Sequence, residues 1–214
     1  MVELPLFPLH LVLFPGRTLH LHIFEPRYRQ LLADSMDGDK RFGVIAIRAG
    51  REVGGGAEIY DVGTVAQIES VTALPDGRSE IRVRGAQRFR VVGALNGTPY
   101  MRAQIELLTD TGPTHQEVAR GEALRELLVP YLAALGAPEE LLGRLPKGPD
   151  ELAYLAAAAL QVDVPELQSL LELDSAVARL SMTEEMLRRE AGLTRRLGTV
   201  GSLRPPGPCG VELN

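Results

Sequence analysis

Several residue types are scarce or absent in this chain, and each shortage excludes a class of protein. The 214 residues include one cysteine, Cys209, which allows neither an internal disulfide nor a multi-cysteine metal site and is typical of a reducing compartment. There is no tryptophan and only 5% of the residues are aromatic, so aliphatic side chains must form most of the core. The sequence has no signal-peptide pattern and no run of roughly 20 apolar residues that could span a bilayer. We therefore expect a cytoplasmic protein without a membrane segment.

An excess of positive charge is also missing. Residues 1–110 hold 13 Lys and Arg and 13 Asp and Glu, whereas residues 111–214 hold 10 and 15 and account for the whole net charge of −5. A protein that coats nucleic acid needs a clear basic excess to bind phosphates. This balance argues against a general nucleic-acid coat and leaves a local basic patch open.

The first half of the chain has the alternation of β-strands. Thr18–Phe24 alternates between polar and apolar residues, and Pro26–Met36 then has the spacing of a short helix. Two further strands are predicted at Ser79–Arg84 and Phe89–Leu95. Many short strands with one early helix indicate a twisted, barrel-like β domain.

The second half changes to a helical period after Thr109–Pro113. Thr114 and Glu117 fit a capping box at a helix start, and apolar stripes follow at helical spacing. Pro130 falls inside the first of these helices and is predicted to kink or split it. The pattern indicates a small helical bundle.

The first residues of the chain combine prolines with apolar side chains. Pro5, Pro8 and Pro15 all lie within runs of leucine and phenylalanine. Because proline lacks an N–H donor, it is expected only at a strand start, a sheet edge or a bulge. The segment therefore predicts strands that are interrupted at fixed points.

This proline-rich segment and several later ones resemble, in the same order, the N-terminal substrate-recognition domain of Lon proteases. The resembling segments are Leu4–Leu9, Leu13–Gly16, Ile23–Tyr28, Val62–Ile68, Gly85–Val91 and Pro99–Ala103. The resemblance extends over about residues 1–196. It implies a PUA-like β fold followed by a helical bundle, and recognition of unfolded polypeptides or degradation tags.

Pattern and resemblance together predict an α+β fold. A PUA-like, twisted, barrel-like β domain of the Lon N-terminal type is expected over residues 1–110, with one early helix. A helical bundle is expected over residues 114–196 and a flexible tail, rich in glycine and proline, over residues 197–214.

The catalytic signatures of a full Lon protease are missing. No Gly-x-x-x-x-Gly-Lys phosphate loop is present, because Pro149 stands where the lysine would follow Gly143 and Gly148. No serine lies in a Gly-x-Ser-x-Gly elbow, and 214 residues leave no room for a protease domain. His20 and His22 lack a third metal ligand at a useful spacing. We expect a stand-alone protein that is not an enzyme and has no cofactor or metal.

The leading hypothesis for function is binding of unfolded or degradation-tagged polypeptides. Unpaired backbone in the proline-broken segment would accept an extended peptide, and exposed apolar side chains would add affinity. The candidate residues are Phe7, Leu9, Leu13, Phe14, Tyr60 and Tyr100. The alternative interpretation is that these side chains form the core. A protease, a chaperone and a second copy of the chain remain open as partners.

The second hypothesis is an RNA-binding PUA-like module. Four arginines alternate along neighbouring predicted strands and would form a basic stripe, namely Arg82, Arg84, Arg88 and Arg90. Glu69 and Glu80 offer a structural alternative, in which the stripe is a solvated sheet face with ion pairs. RNA stays second because few aromatic residues accompany these arginines.

Overall fold

The structure of the protein is a computed structural model. It describes residues 2–52, 56–95, 97, 99–110 and 114–197, and of residues 193–197 the backbone alone. The chain divides into two compact units, the first ending at Thr109 and the second beginning at Asp110. The predicted tail lies beyond the described residues except for Leu197. No helix in the described ranges is both long enough and apolar enough to cross a bilayer.

The first unit is built on a six-stranded sheet. Its elements are β1 Val2–Leu9, β2 Thr18–Ile23, α1 Pro26–Asp37, β3 Arg41–Ala49, β4 Glu58–Ala73, β5 Ser79–Leu95 and β6 Met101–Leu107. The strand order is β2-β5-β4-β3-β1-β6, and β5 also pairs with β6. The pairings of five strands therefore form a closed cycle, and β2 lies outside it. With the helices that follow, this confirms the predicted α+β class and its barrel-like β half.

Strand β5 differs from the sequence prediction because it is one continuous strand of 17 residues. Its first part pairs with β2 and its last part with β6, while β4 pairs with it from Ser79 to Arg90. Gly85 lies between these parts, where a Cβ atom would stand 2.4 Å from the carbonyl oxygen of Phe14. Gly85 lies in the gap between the two predicted strands, and its lack of a side chain allows a neighbouring backbone to pass close to the continuous strand.

Strand β1 also corrects the sequence prediction, because it runs unbroken through Pro5 and Pro8 in the interior of the sheet order. From Val2 to Leu6 the strand pairs with β6, and from Leu6 to Leu9 it pairs with β3. Each proline thus lies in a part of the strand that has one paired edge. A residue without an N–H is tolerated there, because only one edge needs a donor.

Among the described residues, two apolar clusters fill the β unit. The larger one packs α1 against β1, β2 and the first part of β5, and the smaller one surrounds Phe89. Gly43 and Gly63 make room for the Phe89 ring, since a Cβ atom at either position would lie less than 3 Å from the ring. The two glycines are needed for packing in the ring of strands.

Replacing Gly63 by alanine should therefore destabilise the β unit. The new Cβ would meet the Val44 carbonyl oxygen and the Phe89 ring at 2.6 Å each, and overpacking of this kind costs about 1–3 kcal/mol. Gly93→Ala is the matched control, because Gly93 has open space around its Cβ position. Urea unfolding of both variants measures the difference, and equal stabilities would contradict the packing role of Gly63.

The described part of the second unit contains five helices. They are α2 His115–Ala134, α3 Glu139–Leu142, α4 Pro149–Ala159, α5 Val164–Glu172 and α6 Ala176–Leu197. The predicted capping box at Thr114 and Glu117 is confirmed. The predicted split at Pro130 is wrong, because α2 continues through the proline. Packing of α2 against both α4 and α6 supports the helix where the proline removes one hydrogen bond.

Arg179 on α6 lies at the centre of a buried polar network. Its side chain is 0% exposed and contacts Asp110 and Asp150 at 3.2 Å each. The guanidinium also donates to the Leu173 carbonyl at 2.7 Å and lies 4.6 Å from the ring centroid of Tyr154. The Tyr154 hydroxyl donates to Asp110 at 2.7 Å. The network fastens the first residue of the helical unit to three of its helical segments.

Arg179→Met should be among the most destabilising single changes in the helical unit. Removing one partner of a buried ion pair leaves the other charge uncompensated and costs about 3–5 kcal/mol. Arg189→Met is the matched control, because Arg189 lies on the same helix in an exposed pair with Glu166. Chemical unfolding followed by the helical circular dichroism signal should separate the two. Similar midpoints would contradict the role of the network.

Candidate functional site

The structure places most of the predicted peptide-binding residues in the interior. Five of them are 6% exposed or less, namely Phe7, Leu9, Leu13, Phe14 and Tyr100, while Tyr60 is half-buried on β4. The Phe7 ring stacks on Tyr28 with 4.0 Å between centroids. A peptide would reach Phe7, Leu9, Leu13 and Phe14 only if the core opened, whereas Tyr60 is partly accessible and Tyr100 lines an open groove beside β1. The predicted role of all six stays untested, and the described arrangement leaves these four side chains almost no exposed surface.

The four arginines of the predicted basic stripe do not share one exposed face. Arg82 and Arg84 are exposed on β5 before Gly85, whereas Arg88 is 2% exposed and Arg90 is half-buried after it. Arg82 forms an ion pair with Glu69 at 3.1 Å. Gly85 divides the predicted stripe, so its geometry does not favour RNA binding.

Strand β2 stands at the edge of the sheet, and one contact shows which of its residues bond to β5. Gly85 donates its N–H to the Arg17 carbonyl at 2.8 Å, and the register from there to Ile23 has no shift. Bonded residues alternate along an antiparallel pair, so Leu19, Leu21 and Ile23 bond to β5. The backbone of Thr18, His20 and His22 therefore faces away from β5. We call these outward backbone groups the β2 edge.

The β2 edge is accessible at two of its three residues. Thr18 is buried, whereas His20 is partly exposed and His22 is exposed. Within the described residues, no backbone hydrogen bond joins the N–H or carbonyl of either histidine to another segment. The strand contains neither proline nor a residue of fixed charge, which are common devices for protecting an edge. An extended chain could pair here.

Polar side chains cover the sheet face beside this edge. His22, Glu80 and Thr72 form one row across β2, β5 and β4, and His20, Arg82 and Ser70 form the next. We call these six residues the β2 face; they line a groove of about 350 Å³. No three of the described His, Cys, Asp and Glu side chains are grouped so that they could hold a metal ion.

The two ends of the β2 edge differ in character. Phe24 follows the strand with 48% of its surface exposed, and its ring stacks on His22 with 6.1 Å between centroids. Arg84 lies opposite Thr18 at the other end and is exposed without an ion pair among the described residues. The sequence showed the alternation of this strand, but it could not show that the strand is an edge.

A second open groove lies beside Val2–Pro5, where β1 has no strand on its β3 side. This β1 cleft has a volume of about 380 Å³. The charged side chains in its walls are already paired, as Glu3 with Arg102 and Asp39 with Arg41, both at 2.7 Å. Pro5 further removes a donor from the open edge. The cleft is therefore less suited than β2 to accept a strand.

Comparison with known proteins identifies the family. A family model described as the ATP-dependent protease La (LON) substrate-binding domain matches residues 3–189. The chain belongs to the Lon substrate-binding domain family. The resemblance inferred from the sequence is thereby confirmed. The match is to this domain and to no ATPase or protease part.

The curated relatives are much longer Lon proteases. Lon protease 2 of Myxococcus xanthus is 32% identical over 209 residues, which are 93% of this chain and 25% of that protein. The Lon protease of Escherichia coli K12 is 28% identical over 200 residues, again 25% of its length. The chain thus spans about a quarter of these relatives.

Solved Lon N-terminal domains share the fold. A Lon N-terminal domain protein from Xanthomonas campestris has a TM-score of 0.62 and 27% identity, covering 85% of this chain and 96% of that one. The N-terminal domain of a Mycobacterium avium complex Lon protease has a TM-score of 0.71 over 87% of this chain and 98% of its own. At 16% identity, the second comparison supports the fold alone.

Within the β1 cleft of this Lon-type domain, Tyr100→Phe should raise the pKa of Asp34. The Tyr100 hydroxyl donates to Asp34 at 2.5 Å and is the main cause of the lowered pKa of that carboxyl, with Gln30 second. A depressed pKa means that the contact stabilises the fold above the unfolded-state pKa and that its contribution is lost as the pH falls through the folded-state value.

Carboxyl titration by NMR measures this shift. Asp76 is an internal control, because Arg78 holds its pKa at about 2 and this contact does not involve Tyr100. The titration of Asp76 should be the same in both proteins. An unchanged Asp34 titration in the variant would contradict the assignment.

Proposed function

We propose that this chain is a non-catalytic module that binds unfolded or degradation-tagged polypeptides. The open β2 edge carries the proposal, because it offers unbonded backbone groups at the margin of a sheet in a family described as substrate-binding. An extended polypeptide would add to β2 as a further strand. No covalent bond is made or broken in this role.

Strand addition explains how such a module would tell unfolded from folded clients. In a folded protein nearly all backbone N–H and carbonyl groups are already paired, whereas an unfolded chain offers them freely. Hydrogen bonds to backbone are independent of the client's sequence, and pockets for alternate side chains would add any preference. The β2 edge would thus recognise a conformational state common to many proteins.

The expected affinity of this edge is low. His20 and His22 present two donors and two acceptors, and each hydrogen bond contributes about 0.5–1.5 kcal/mol net. Association itself costs at least about 4 kcal/mol in lost freedom. Four such bonds contribute about 2–6 kcal/mol, which at best slightly exceeds the smallest cost of association, so side-chain contacts at the ends of the edge are needed for measurable binding. Weak binding suits a module that samples clients in the cytoplasm and passes them to a protease or chaperone.

Hydrogen exchange provides a direct test of strand addition. In the free protein the amides of His20 and His22 should exchange rapidly, because they face away from β5, while those of Leu19 and Leu21 are protected. Adding an unfolded casein peptide should slow exchange at both histidines and leave the two leucines unchanged.

The same NMR experiment distinguishes a wrongly placed binding site from a wrong function. A folded, disulfide-intact protein such as lysozyme serves as the control and should cause no protection at His20 or His22. Casein binding that leaves both histidine amides unprotected would place the site elsewhere. Absence of any casein binding would overturn the proposed function itself.

A further inference from the structure

We infer that the β2 edge binds client segments in a preferred chain direction. It favours segments in which an apolar residue precedes an acidic residue by six positions. This inference rests on the proposed function and names the class of segment that the same edge would take. Its basis is the difference between the Phe24 end and the Arg84 end of β2, together with the alternation of side chains along a strand.

The Phe24 end provides an apolar contact. Phe24 is the most exposed aromatic side chain described in the β unit, and its stacking on His22 places it on the side of the β2 face. Phe24 and the two histidines occupy alternate positions, so they share one side of the strand. An added strand that passes His22 would bring one of its own side chains against the Phe24 ring and bury apolar surface of both.

The Arg84 end provides a free positive charge. Along the sheet face, Arg82 is neutralised by Glu69, whereas neither Glu80 nor Arg84 has an ion pair among the described residues. Glu80 lies opposite His22 near Phe24, and Arg84 lies opposite Thr18. The face is therefore negative at the Phe24 end and positive at the other end.

These two charges act separately on a bound chain. Glu80 and Arg84 are four positions apart on β5, which corresponds to roughly 13 Å along a strand. This separation exceeds the screening length of about 8 Å at physiological ionic strength. An added strand lies two strand spacings, roughly 9.5 Å, from the backbone of β5, a gap that a long arginine side chain can span. A client carboxylate that meets the Arg84 guanidinium is attracted and one near Glu80 is repelled, so the face favours one orientation over the reverse.

Strand direction converts this polarity into an order in the client sequence. Antiparallel pairing is the more stable and more common arrangement, and it places the first residue of the client at the Phe24 end. The client would pair at His22 and His20 and run on past Thr18, which is buried, so that its acidic side chain approaches Arg84 along the sheet face. Phe24 and Thr18 are six positions apart, so the apolar residue precedes the acidic one by six. An odd spacing would turn the acidic side chain to the opposite face of the added strand.

Four matched peptides test this inference with the full chain. Each has twelve residues in a Ser/Thr/Gln background; the reference carries Phe at position 3 and Asp at position 9. The others exchange the two residues, move Asp to position 8, or replace Asp by Asn. Fluorescence anisotropy at low and physiological salt should show the reference binding up to about fivefold more tightly than each of the others, as expected for one exposed ion pair.

Variants of the protein locate the two contacts. Arg84→Gln should remove the preference for Asp over Asn, and Phe24→Ser should weaken the reference peptide and the Asn peptide alike. Arg48→Gln and Val92→Ser are the controls, since both residues are exposed in the β unit away from β2. Neither control should change the order of affinities.

The outcomes distinguish the inference from the proposed function. Equal binding of all four peptides, or a preference that survives Arg84→Gln, overturns the inference; casein-induced protection at His20 and His22 would still support the function. Binding of casein without binding of any designed peptide also overturns the inference. Failure of the chain to bind casein and all four peptides overturns both.

Discussion

The architecture of the β unit depends on one strand that must pair with three others. Strand β5 pairs with β4 from Ser79 to Arg90, with β2 before Gly85 and with β6 from Phe89 onward. The change of partner requires a backbone approach that no side chain at Gly85 would permit, since the Phe14 carbonyl stands where a Cβ would be. Because the second part of β5 closes the cycle of strands through β6, β2 is left with a single neighbour. The open edge is thus a consequence of how the sheet closes.

Strand β1, in contrast to β2, is part of the closed cycle of strands. Its two parts are each paired, with β6 and then β3, and the side chains of Phe7 and Leu9 go into the core. The prolines flank the strand's change of partner at Leu6, and the Phe7 side chain is buried rather than offered to a client. The most distinctive segment of the sequence therefore serves the fold, while an ordinary alternating strand carries the candidate site. Distinctive residues in a domain of this kind identify the family without locating the surface at which it binds.

Local signals in the sequence predicted local structure well. The alternation of Thr18–Ile23, the helix after Pro26 and the capping box at Thr114 depend on near neighbours, and each is present in the structure. The burial of Arg88, the network around Arg179 and the edge position of β2 depend instead on residues far away in the chain. Arg179 looks like any other charged residue of an amphipathic helix until Asp110 and Asp150 are brought to it. Sequence reasoning failed where long-range pairing decides, and both the candidate site and the helical network are of that type.

The position of the apolar residues decides between two modes of client recognition. Recognition by hydrophobic contact needs a contiguous apolar patch, which a monomer rarely exposes without a risk of aggregation. The large apolar residues exposed in the β unit, such as Phe24, Met36, Val71 and Val92, lie on different elements. The apolar side chains of the proline-rich first segment, which might have joined them, are in the core. Backbone pairing at β2 avoids that risk, because the sheet face beside the edge is polar. The affinity of the β2 edge for other proteins is also low unless a client supplies an extended chain. If client binding instead depended on apolar area alone, it would be insensitive to salt and to Arg84, which is the behaviour that this geometry disfavours.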